Sequence, residues 1–63
     1  MANLTEIQIT QKQNLFDLLV LEKQNEKIGI TVDGLGRLIR KAKSGMSKED
    51  IAYVITLVEE EFS

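Results

Sequence analysis

Apolar residues recur at helical spacing along most of the chain. From Leu15 to Leu21 six of seven side chains are apolar, and Asp17 is the exception. At 100° per residue, Leu15, Phe16, Leu18, Leu19, Val20 and Leu21 cover an arc of roughly 260°, and Leu4, Ile7 and Ile9 fall inside it. A helix that merely lies on a core needs a stripe of little more than about 100°. The pattern predicts a first helix over about 5–27. Asn3 and Thr5 are its candidate N-caps, because Glu6 and Gln8 follow them at capping-box spacing. Gly29 suits the position just past its end.

Two further helices follow. Leu35, Leu38, Ile39 and Ala42 fall on one face of a segment predicted over 33–44, with Asp33 as the N-cap and Gly45 as the stop. Gly34 and Gly36 weaken its first turn. Ile51, Val54, Ile55, Val58 and Phe62 form the stripe of a third helix over 47–61, capped by Ser47 with Asp50 three residues on. Tyr53 and Leu57 share a different face. The alternation at Ile7 and Ile9, and again at Ile28, Ile30 and Val32, admits an α+β alternative with short strands near 6–10 and 28–32. The all-α reading, a small three-helix bundle, is preferred.

Size changes the picture. Sixty-three residues make one domain, 1–63, and the core of such a chain supplies only about 3–5 kcal/mol. With no Cys and no His, disulfides are excluded and a structural zinc site is not expected. Association is the remaining way to add stability. The wide arc of the first helix therefore predicts a homodimer, with Leu15, Phe16, Leu18, Leu19 and Leu21 in the self-association seam. The lack of Cys fits a cytoplasmic protein. The opening MANLTEIQ has no basic region followed by an apolar run, so no secretory signal is expected. No segment approaches the roughly 20 apolar residues of a membrane span.

Charge is segregated although the net value is only −2. Every charge from Gly34 to Lys48 is positive, and every charge from Glu49 onward is negative. Glu59, Glu60 and Glu61 lie where the helix dipole disfavours them, and the basic helix is the expected source of their counter-ions. Catalytic chemistry has little to draw on. The commonest general base and the best nucleophile are both missing. Asp33-Gly34-Leu35-Gly36 lacks the remainder of a phosphate loop. No enzyme, cofactor or metal site is expected.

Residues 37–55 have the layout of a degenerate helix-turn-helix, with Gly45-Met46-Ser47 as the turn. The helix that would enter the groove opens with Glu49 and Asp50, which DNA phosphates repel. Contact with nucleic acid, or with an acidic partner, would fall to Arg37, Arg40 and Lys41. The segment from Arg37 to Ile51 also resembles the helical hairpin by which the SinR repressor dimerises and the antirepressor SinI captures it. That resemblance implies interface positions at Leu38, Ile39, Ala42, Met46, Ile51, Val54 and Ile55.

The reading that results is a small non-enzymatic regulator acting by protein–protein contact, such as an antirepressor or a phage-type inhibitor of a host factor. Tyr53 and Leu57 are its candidate partner-binding residues. The alternative is a small DNA-binding transcriptional regulator. No membrane partner is expected.

Overall fold

The structure, a computed structural model, describes residues 4–63, with side chains from Glu6 onward. Among the described residues there are three helices, α1 (Leu4–Lys27), α2 (Leu35–Lys43) and α3 (Lys48–Glu61), and no strand. The α+β alternative is thereby overturned. Ile7 and Ile9 lie within α1, and 28–32 is an irregular connector. The physical reason is length. A helix running unbroken from residue 10 to residue 27 holds the two alternating segments about 25 Å apart at 1.5 Å per residue, too far to pair. The expected cap at Asn3 lies outside the described residues. Thr5, the other candidate, is inside the helix.

Gly29 ends α1 as its position predicts. It has φ 73°, and the two hydrogen bonds of a Schellman motif are in place. The Ile30 N–H donates to the Asn25 carbonyl at 2.9 Å, and the Gly29 N–H donates to that of Glu26 at 3.2 Å. The Gly45 turn closes differently. Ser44 at φ −60°, ψ 126° and Gly45 at φ 82° make a type II turn, closed by the Met46 N–H donating to the Lys43 carbonyl at 3.0 Å.

The start of α2 departs from expectation. The helix begins at Leu35, and the N-cap position belongs to Gly34 at φ 82°, ψ −9°, with no side-chain cap. A turn joining Val32 to Leu35 displaces Asp33 by one residue, out of reach of the first-turn N–H groups. Asp33 is therefore not the cap. Ser47 is one, since its Oγ accepts from the Asp50 N–H at 3.1 Å. Ser47→Ala is expected to cost about 1 kcal/mol, a fall in melting temperature of roughly 4–8 °C for so small a domain. Ser44→Ala, which removes no cap, should leave the melting curve in place.

The three helices run up, down and up. Lys12 on α1 meets Asp50 and Tyr53 at the start of α3, and Lys27 meets Phe62 at its end, so α3 is parallel to α1. Leu18 lies beside Ala42, and Asn25 beside Leu35, so α2 is antiparallel. Both flank α1 and barely touch each other. Leu15, Leu35, Ile39, Val54 and Val58 form the buried core, with Phe16, Leu18, Leu19, Ala42, Met46 and Ile51 among the side chains packed around it.

This arrangement answers much of the 260° arc within one chain. On one side of Leu15, α2 covers Leu18; on the other, α3 covers Phe16. Leu15 is 0% exposed, so it sits at the centre of the chain's own core and has no surface to give a second copy. Phe16, Leu18 and Leu19 are half-buried against that core, and Leu21 alone of the five expected seam residues is exposed, at 43%.

Candidate interaction surface

A shallow groove of about 410 Å³ runs between α1 and α3. Ile9 and Phe16 form one wall, two turns apart on α1. Tyr53 and Leu57 form the other, one turn apart on α3. Tyr53 is 56% exposed. Lys12 closes one end. Its ammonium lies 3.5 Å from the Asp50 carboxylate and 5.5 Å from the centre of the Tyr53 ring, a cation–π distance. The groove is therefore apolar on both walls, with a braced cation at its rim.

The sequence singled out Tyr53 and Leu57 but missed their companions. Ile9 was visible only as part of the wide arc. Lys12 carried no signal, because its partners are almost forty residues away in the chain. A cation at i+3 from Ile9 and i−4 from Phe16 becomes informative only once α3 is known to run parallel to α1.

Arg37, Arg40 and Lys41 lie at i, i+3 and i+4 on the face of α2 opposite Ile39, within an arc of about 100°. Arg37 and Arg40 line a depression with Gly34 and Gly36 at the head of α2, and Lys41 borders a second one with Leu18 and Asn14. Among the described residues none of the three has an ion-pair partner. Nor do the α2 cations meet Glu59, Glu60 and Glu61, which was the expected arrangement. The cation at the end of α3 is instead Lys27 of α1, whose ammonium lies 5.1 Å from the centre of the Phe62 ring. The reason is direction: α2 runs back along α1, so its most cationic turn lies at the opposite end of the molecule from the end of α3.

Residues 37–55 form a helix, a turn and a helix, but α2 and α3 lean on α1 rather than on each other. Of the positions that the SinR/SinI resemblance placed at an interface, Ile39 and Val54 are buried within the single chain, while Leu38 and Ile55 are exposed. Among the described residues no cluster of three or more acidic side chains is placed to hold a metal ion, and no helix is long and apolar enough to cross a membrane.

No protein-family model matches the chain, and no curated protein or solved structure shows significant similarity to it.

Proposed function

We propose that this protein is a small non-enzymatic regulator that works by binding another protein through the groove between α1 and α3. The observation that supports the reading is the exposure of Tyr53 and Ile9 on facing walls of a groove that the half-buried Leu57 and Phe16 complete. Large apolar side chains set in a groove, with a fixed charge at the rim, are the usual anchors of a protein contact. Tyr adds contact area at low cost in side-chain entropy. An amphipathic helix presenting two apolar residues one turn apart would fit between the walls. An antirepressor, or an inhibitor of a host factor, is the kind of regulator that such a groove suits.

The test is a paired capture from the source cells, with the native chain and the Tyr53→Ala, Leu57→Ala double variant as baits. The native chain should retain one protein in near-stoichiometric amount. The double variant should lose it while keeping the native helical circular dichroism, because Tyr53 is mostly exposed and Leu57 lies outside the buried core. Retention of the same protein by both baits would exclude the groove. The DNA-binding alternative has less support, because Glu49 and Asp50 open α3.

A further inference from the structure

The face of α2 and α3 turned away from α1 carries charges that have no ion-pair partner among the described residues. On α2, Arg40 lies about 100° around the helix from the buried Ile39, and Arg37 about 160°. On α3, Ile55 lies about 100° from the buried Val54 and Glu59 about 140°, on the side opposite Tyr53. Tyr53 faces α1, so Ile55 and Glu59 face away from it. Leu38 likewise faces α1 across Leu18, so Arg40 and Arg37 face away. Arg37, Arg40, Ile55 and Glu59 are all exposed, and among the described residues no ion pair involves Arg37, Arg40 or Glu59. The α2 half of this face is cationic, whereas the α3 half carries Lys48 at its start and Glu59 near its end, with Ile55 and the half-buried Ile51 and Met46 near the middle.

We infer that this face binds a second copy of the chain, with α2 of each copy against α3 of the other. The symmetry argument is specific. A two-fold axis lying in the face perpendicular to the helices would set α2 on α2 and oppose like charges. An axis parallel to the helices sets α2 on the partner's α3, antiparallel, and keeps every residue at its own height. The start of α2 lies beside Asn25 and the end of α3 beside Lys27, so Arg37 and Glu59 share one height. The same rotation therefore brings Arg37 of each copy to Glu59 of the other, twice per dimer, and an isologous contact of this kind closes on itself. This surface is separate from the groove between α1 and α3, so the inference stands or falls independently of the proposed function.

The test is sedimentation equilibrium of the native chain, of Arg37→Glu, of Glu59→Arg, and of the two variants mixed in equal amounts. Both side chains are exposed and have no ion-pair partner among the described residues, so both variants should keep the native helical circular dichroism. The native chain should form a dimer that weakens as salt is raised. Each variant should dissociate about tenfold more readily, since each places like charges across both contacts. The mixture should recover a heterodimer near native affinity, because each swapped contact regains an opposite charge. A native chain that stays monomeric at its highest soluble concentration would overturn the inference. So would a dimer indifferent to both changes, or a mixture no more associated than its components. A monomer that shifts duplex DNA at low salt, and loses the shift on Arg37→Glu, would assign the cations to nucleic acid instead.

Discussion

Leu15→Ala should leave the chain largely unfolded at 25 °C. Leu15 is 0% exposed, at the point on α1 where the other two helices converge. Removing a buried Leu side chain costs about 3–5 kcal/mol, the larger values applying where the surroundings cannot collapse into the cavity. A core of this size supplies only about 3–5 kcal/mol in the first place. The two figures are of one size, so the substitution consumes the margin. Helical ellipticity against urea is the measurement. Native Leu15 should give a cooperative transition, and Leu15→Ala a curve already past its midpoint in water. Leu21→Ala, on the same helix but exposed, should shift the midpoint little. Comparable losses at the two positions would mean that Leu15 is not the point on which all three helices close.

Val54→Asp and Ile55→Asp should part company just as clearly. The two residues are adjacent β-branched hydrocarbons on α3, yet Val54 is 1% exposed and Ile55 38%. An aspartate at 54 would be an unpaired charge against Leu15 and Val58, a penalty of several kcal/mol that the domain cannot absorb. An aspartate at 55 meets solvent and costs mainly helix propensity, on the order of 0.5 kcal/mol. Circular dichroism should show Val54→Asp without cooperative structure and Ile55→Asp folded. A folded Val54→Asp would place α3 in a different rotation on α1.

Much of the architecture was legible because local chemistry and long-range packing agreed. Ser47, Gly29 and Gly45 each act where their side chains, or the lack of one, direct. Of the predicted stripe, Ile51, Val54, Val58 and Phe62 face inward, whereas Ile55 at its edge is exposed. Asp33 misled because a carboxylate ahead of an apolar stripe looks the same whether or not a turn intervenes, and the Gly34 turn is decided by backbone angles rather than by residue type. The seam is a different case, since Leu15 is taken up by the chain's own core. The angular width of an apolar arc reports how much of a helix is covered. It does not report whether the cover comes from the same chain, and here α2 and α3 lie on either side of Leu15. The groove was half legible. Tyr53 and Leu57 declare themselves by spacing, whereas Ile9, Phe16 and Lys12 join them only through a contact between distant parts of the chain.

That distance governs the order of assembly. Because α2 and α3 meet α1 but hardly each other, the core is closed by two contacts of different sequence separation. The α1–α2 hairpin joins segments that are near neighbours in sequence, and its loop is short. Docking α3 back along α1 ties residue 12 to residues 50 and 53, a longer closure that loop entropy delays. The walls of the groove are brought together only by that longer closure. Because one core is shared by all three helices, a ligand that bridges both walls binds only the chain with α3 docked and so stabilises the whole cooperative unit.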